Sequence, residues 1–145
     1  MRISAKGRYA LAATVFMAQQ YPKKEPITVI FMSTALGISK IYLEQVFSLL
    51  KKAGLVRSVK GSQGGYQLNG EPAQLTAYDV LLGVEGALFE PASPAVAEFA
   101  PEIDRAILDA AFTPADAALK EALGAVTLER LALEAQRGQS PMYYI

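Results

Sequence analysis

The side chains best suited to hydrogen bonding with a ligand lie on one face of a predicted helix. An apolar stripe with the spacing i, i+3, i+4 and i+7 predicts that this helix buries its other face, at Leu43, Val46, Phe47 and Leu50. The outward face then carries Lys40, Ile41, Glu44, Gln45 and Ser48. Such a glutamine can pair with adenine, a glutamate can accept from cytosine, and an isoleucine can contact a thymine methyl group. The face can therefore read DNA bases, although an ordinary solvated helix surface is the alternative.

A second short helix precedes this one and forms a pair with it. Thr28 can cap a helix over Val29–Leu36, and Gly37 can end it in the left-handed conformation. Ser39 can then cap the helix over residues 40–53, which Gly54 closes. Two short helices joined by a glycine-containing turn predict a helix-turn-helix.

Two strands follow and predict a β wing. Residues 55–60 and 65–68 have strand character, and the tip between them is Gly61-Ser62-Gln63-Gly64. Lys60 beside a glycine-rich tip could approach phosphates or the minor groove, with Gly61, Gly64 and Gly65 keeping the backbone compact. A nucleotide-binding loop is excluded, because neither the Walker nor the Rossmann spacing is present. The glycines could also simply form a hairpin turn, and such a turn is compatible with a wing.

Charge is divided unevenly along a chain whose formal net charge is zero. Residues 1–70 hold ten basic and two acidic side chains, a net charge of +8, whereas residues 71–145 hold four basic and twelve acidic ones, a net charge of −8. The first half suits a polyanion. Arg2, Lys6 and Arg8 lie at the start of the predicted first helix. They either contact DNA phosphates or simply form a solvated helix start, and the sequence favours neither interpretation over the other.

The chain contains no cysteine and no histidine. This composition excludes disulfides, thiolate chemistry and the usual transition-metal sites, so we expect no metal and no cofactor, and an enzyme becomes the minority interpretation. The N-terminal residues lack the apolar core of a secretory signal, and no window is apolar enough to span a membrane. A cytoplasmic protein without membrane association is the expectation.

The second half is predicted to be helical. Thr76 and Asp79 fit a capping box for a helix over residues 77–84, and residues 86–101 resemble an irregular connector. A long helical stretch over residues 102–125 contains Pro114, where we expect a kink or a break, and a last helix starts near Thr127. We therefore divide the chain into a winged helix-turn-helix domain (1–86), a connector (87–101), C-terminal helices (102–138) and an apolar tail (139–145). The fold class is mostly α with a small β wing.

Several segments of the sequence resemble the Rrf2 family of winged-helix transcription regulators, which includes iron–sulfur regulators. The resemblance is carried by segments in order and at family spacing: residues 1–10, 37–45, 55–61, 64–68 and 84–86, with a later similar segment at 126–131. It implies a homodimer on a palindromic operator in double-stranded DNA. It places Tyr42, Glu44 and Gln45 on the recognition helix and the wing in the minor groove. Together with the outward helix face and the wing tip, the residues predicted to bind DNA also include Ser39, Lys40, Ile41, Lys60, Gly61, Gly64 and Gly65.

The resemblance also assigns roles to the second half. The apolar residues of its long helix are the implied dimer interface: Ile103, Ile107, Phe112, Leu119 and Leu123. Many family members hold an iron–sulfur cluster on three cysteines ahead of this helix, and residues 87–112 contain none. Members usually carry arginine where this chain has Lys60, which weakens the inference of a minor-groove contact there.

The C-terminal residues are similar to those of a cluster-free branch of the family, the CymR-like repressors of cysteine metabolism. The shared segment is Met142-Tyr143-Tyr144-Ile145. The resemblance implies a partner, since O-acetylserine sulfhydrylase (cysteine synthase) holds C-terminal isoleucine peptides, and Tyr143, Tyr144 and Ile145 would bind it. Packing of these tyrosines against the protein's own dimer is the alternative. For the whole protein, a metabolite-sensing regulator and a scaffold that does not bind DNA are the competing interpretations.

Overall fold

The computed structural model describes residues 2–89 and 94–139, and it is mostly helical with one two-stranded antiparallel sheet. The predicted fold class is confirmed. The elements in chain order are α1 (Ala5–Gln20), α2 (Val29–Leu36), α3 (Lys40–Lys52), β1 (Val56–Val59), β2 (Gly65–Leu68), α4 (Ala77–Glu85), α5 (Pro94–Phe99), α6 (Pro101–Ile107), α7 (Thr113–Gly124) and α8 (Leu128–Gly138).

Side-chain caps set the start of most of the helices in the winged unit. Thr28 and Ser39 each accept a hydrogen bond from the amide three residues on, at 3.0 and 3.1 Å. The predicted capping box of α4 is present, with Thr76 and Asp79 each accepting from the other's amide. Gly37 ends α2 with a φ of 68°. The bounds of α2 agree with the sequence prediction, while α3 and β1 are slightly shorter than predicted.

The core lies where α1, α3 and α4 meet under the wing. Its largest fully buried side chains include Phe47, Leu43 and Leu50 of α3, Met32 of α2 and Leu81 of α4. Thr14 is the buried polar residue of α1, and its hydroxyl donates to the carbonyl of Ala10 at 2.8 Å. The helix-turn-helix and the wing are therefore built on one apolar cluster.

The last helix returns to this core. The backbone of Ala77 donates to Val126 and that of Leu128 donates to Leu75, both at 2.8 Å. Leu128 is fully buried, and α8 packs along α1. The C-terminal helix is thus attached to the winged unit through both backbone hydrogen bonds and apolar burial.

Two details of the second half differ from the sequence prediction. The stretch expected to be an irregular connector contains the helix α5. Where the sequence predicted a kink or a break around Pro114, the chain stays helical from Pro101 to Gly124 and contains a five-residue π turn, Leu108–Phe112. Proline has no amide hydrogen and crowds the carbonyl four residues before it, and the wider turn, closed by a bond from Thr113 to Leu108, accommodates this.

In the described part of the chain, no helix combines the length and the apolar character needed to cross a bilayer.

Candidate nucleic-acid interface

The outward face of α3 carries polar and apolar side chains that are free to meet a ligand. Ser39, Lys40, Glu44 and Gln45 are exposed, and Ile41 is 71% exposed. On the opposite face Leu43, Val46, Phe47 and Leu50 are all 0% exposed. The helix therefore presents the predicted set as one exposed surface. Lys40 and Glu44 form a loose ion pair at 3.8 Å on this exposed surface, and such solvent-exposed pairs are weak.

Tyr42 differs from its neighbours because it packs inward. It is half-buried, and its ring meets that of Tyr9 on α1 edge to face, with centroids 5.0 Å apart. Ser39 has a structural role as well, because its hydroxyl caps α3. These contacts fix the start of α3 against α1.

An aromatic residue of the wing packs against α3. Tyr66 of β2 stacks on Phe47 of α3 with ring centroids 4.6 Å apart. Its backbone also exchanges two hydrogen bonds with Ile27, at 2.9 and 2.8 Å, which form a single antiparallel β-bridge to the segment before α2. These contacts hold the wing against α3 and against the segment before α2.

The wing glycines fulfil structural requirements of the backbone. Gly61 has a φ of 107° and lies in open space, which lets the tip turn beside the exposed Lys60. A Cβ on Gly64 would lie 2.3 Å from the carbonyl oxygen of Val59, and one on Gly65 would lie 2.5 Å from that of Ile27. The close backbone contacts of the wing therefore explain why glycine occupies positions 64 and 65, which were also predicted to contact DNA.

A residue that the sequence analysis did not assign to the site holds the start of α1. The carboxylate of Glu85, at the end of α4, accepts from the backbone amide of Ser4 at 3.3 Å and from its hydroxyl. Ser4 in turn caps α1. Arg2 and Arg8 are exposed and Lys6 is half-buried on this anchored segment. In the sequence, the signal for Glu85 was its place in the segment Val84-Glu85-Gly86, which resembles the Rrf2 family.

Basic side chains of the first half have few acidic partners. Within residues 2–89 and 94–139, the ion pair between Lys40 and Glu44 is the one salt bridge that involves a basic residue of the first 70 positions. Lys60 and Arg57 on the wing are exposed. The excess positive charge of this half is therefore available to an external anion.

The residues predicted for a dimer interface lie on the helical stretch formed by α6, the π turn and α7. Ile103, Ile107 and Phe112 are 55%, 40% and 41% exposed, and Leu119 and Leu123 are half-buried. None of α6, the π turn or α7 has a fully buried residue. Tyr143, Tyr144 and Ile145 lie outside the described residues.

Comparison with known proteins identifies the family of the chain. Residues 3–134 match the model of the Rrf2 family, described as an iron-dependent transcriptional regulator. The chain belongs to the Rrf2 family. It is 36% identical to the HTH-type transcriptional regulator CymR of Bacillus subtilis (strain 168) over the full length of both proteins. It is 42% identical to the regulator IscR of Vibrio atlanticus (strain LGP32) over 59% of this chain and 49% of that protein.

Solved structures give the same result. The structure of CymR, the global cysteine regulator of B. subtilis, matches with a TM-score of 0.67 at 34% identity, covering 92% of this chain and 98% of that one. IscR of T. potens matches with a TM-score of 0.74 at 30% identity, covering 99% and 97%. This Rrf2 protein is therefore a DNA-binding transcription regulator with a winged helix, and its relatives are regulators rather than enzymes.

The iron chemistry of the family does not fit the residues of this member. An iron–sulfur cluster is bound by cysteine thiolates, helped in some proteins by histidine, and this sequence has neither residue. Among the described residues, no group of three or more acidic side chains is placed to hold a metal ion. Sensing through a thiolate-bound cluster is therefore excluded by the donor set.

The wing geometry leads to a first prediction. Gly65→Ala should lower the free energy of unfolding by about 3 kcal/mol, because the new Cβ meets the backbone of Ile27 and the φ of 148° suits glycine. Gly138→Ala is the matched control, since a Cβ there lies in open space. Urea denaturation of both variants measures the difference, and equal stabilities would contradict the assigned role of Gly65.

Proposed function

We propose that this Rrf2 protein is a repressor that binds a palindromic operator as a homodimer and reads bases with the outward face of α3. The observation that carries the proposal is the division of α3 into a buried apolar face and an exposed, mostly polar one. Ile41 is 71% exposed while Leu43, two residues on, is fully buried. An α-helix of this kind fits the major groove, where Glu44 and Gln45 have the functional groups to distinguish base pairs.

The remaining basic residues would contact the DNA backbone and the minor groove. Lys60 is exposed beside the glycine tip of the wing, and Arg2, Lys6 and Arg8 lie on the segment that Glu85 anchors. Phosphate contacts position a protein on DNA without reading its sequence, so these residues contribute affinity, and α3 contributes specificity.

Two substitutions separate these roles. Lys60→Ala should weaken binding to every duplex and lower the slope of log affinity against log salt by about 1. Gln45→Ala should cost about 1–3 kcal/mol on the operator and relax the preference at one base pair in each half-site. Fluorescence anisotropy over a salt series measures both effects. Lys120→Ala on α7 and Gln136→Ala on α8 are the matched controls, and controls that behave like the test variants would contradict the proposal.

The homodimer is supported by the π turn, which aligns two apolar segments of the helix. A regular α-helix turns about 100° per residue, so Ile103 and Ile107 would face nearly opposite to Phe112, Leu119 and Leu123. The π turn adds one residue to a single turn, so that the five positions share one face. The stripe is exposed at Ile103, Ile107 and Phe112 and half-buried at Leu119 and Leu123, and an apolar stripe of this length on a helix with no fully buried residue favours pairing with a second copy.

The dimer proposal is tested in two ways. Ile107→Glu should raise the dimer dissociation constant by about 100-fold, about 2.8 kcal/mol, because the interface would bury an unpaired charge. Deletion of Ala110 should have a similar effect, because it removes the extra residue of the π turn and rotates the two apolar segments apart. Sedimentation equilibrium measures both variants, with Leu133→Glu on the exposed part of α8 as control. Two variants that dimerise like the wild type would contradict the proposal.

The similarity to CymR supports a role in cysteine or sulfur metabolism, because the related structure is described as a global cysteine regulator. Within that role, Tyr143, Tyr144 and Ile145 are proposed to bind O-acetylserine sulfhydrylase, as the resemblance to CymR-like repressors implies. Calorimetry with the purified enzyme tests this step. Deletion of Ile145 should abolish binding and Met142→Leu should preserve it, whereas binding by the deletion variant would contradict the proposal.

A further inference from the structure

An open apolar groove lies between α1, the end of α2 and α8. Its volume is about 490 Å³, and seven of its nine lining residues are apolar. The two polar ones are Gln19 and Gln139. The apolar residues are Leu11, Ala12, Val15, Phe16, Leu36, Leu131 and Ala135.

The apolar surface continues beyond the groove onto the helix-turn-helix. Phe16 in the groove contacts Phe31 of α2, with ring centroids 5.9 Å apart, and Phe31 is 57% exposed. Leu36, at the end of α2, lines the groove itself. Whatever covers this surface therefore contacts the first helix of the DNA-binding motif as well as α1 and α8.

The groove begins where the described part of the chain ends. Gln139 caps the C-terminus of α8 and lines the groove. The sequence continues with Ser140-Pro141-Met142-Tyr143-Tyr144-Ile145, of which the last four residues have large apolar or aromatic side chains. Pro141 has no amide hydrogen and cannot donate the backbone hydrogen bond that would continue a helix.

The length of this segment matches the groove. Six extended residues span about 20 Å, at 3.3–3.6 Å per residue. The groove residues on α1 run from Leu11 to Gln19, a helical distance of about 12 Å. The segment is thus long enough to cover the groove from its starting point at Gln139, and its chemistry complements the apolar lining.

We propose that the segment Pro141–Ile145 docks into this groove of its own chain and links α8 to α2. The docked segment covers apolar surface that would otherwise face water, and it connects the C-terminus with the helix-turn-helix. A protein that binds the same segment must first displace it from the groove. The proposal rests on the groove and the segment alone, and it does not depend on the identity of such a partner.

The absence of native cysteine makes thiol labelling a clean test. In the full-length protein, Ala12→Cys should react slowly with a maleimide, and removal of residues 141–145 should accelerate the reaction by roughly tenfold, which corresponds to about 1.4 kcal/mol of docking free energy. Ala117→Cys, exposed on α7, is the matched control and should react at the same rate in both proteins. An unchanged rate at Ala12→Cys would overturn the proposal.

A disulfide experiment distinguishes docking within one chain from docking in a second copy. Mild oxidation of the double variant Ala12→Cys/Tyr143→Cys should give an intrachain disulfide, whereas Ala117→Cys/Tyr143→Cys should give none. A mixture of the two single variants, Ala12→Cys and Tyr143→Cys, should stay uncrosslinked. Efficient crosslinking in that mixture would place the segment in a second copy and overturn the assignment to its own chain. Neither experiment involves DNA or sulfhydrylase, so its failure is separable from failure of the proposed function.

Discussion

The burial of one face of α3 is the constraint on which the rest of the structure depends. Leu43, Val46, Phe47 and Leu50 are completely buried, and each contributes about 1.5–3 kcal/mol relative to an exposed side chain. Rotation of the helix by a single residue would forfeit much of this free energy. The outward residues contribute little to stability by comparison, since surface substitutions usually change it by less than about 0.5 kcal/mol. Their identities are therefore available for ligand recognition.

The other parts of the interface are positioned relative to α3 by specific contacts. Phe47 stacks on Tyr66, and Tyr66 pairs with Ile27, so the wing is fixed by the same core that orients the helix. Gly65 permits this close approach. On the other side of the unit, Glu85 holds Ser4 and with it the basic start of α1. Apolar burial thus determines the positions of α3 and the wing. The hydrogen bonds between Glu85 and Ser4 position the basic residues at the start of α1.

The sequence predicts the local features of this fold well, because they depend on neighbouring residues. The caps Thr28 and Ser39, the capping box at Thr76 and the glycine that ends α2 all act within a few residues of themselves. The amphipathic pattern of α3 likewise identifies its exposed face from spacing alone. The family resemblance is carried by these same local segments, which is why the amino-acid sequence alone is sufficient to reveal it.

The features that the sequence did not predict arise from contacts between distant residues or from alternative helical geometries. Glu85 meets Ser4 across 81 positions, and no local pattern identifies that pair. The return of α8 to α1 depends on backbone pairing between Leu75 and Leu128. Pro114 indicated an irregularity, but a proline alone does not distinguish a break from a π turn. The apolar groove beside Gln139 likewise becomes visible only when three helices are assembled.

The chain combines the Rrf2 fold with a set of side chains that cannot hold a thiolate-bound iron–sulfur cluster. Genome-wide mapping of the DNA bound in cells is the most direct test of the central claim that a dimer reads an operator through α3. The account predicts that the bound regions share one inverted repeat, with half-sites about 10 base pairs apart from centre to centre, or a multiple of that distance. Bound regions without a shared inverted repeat would contradict it.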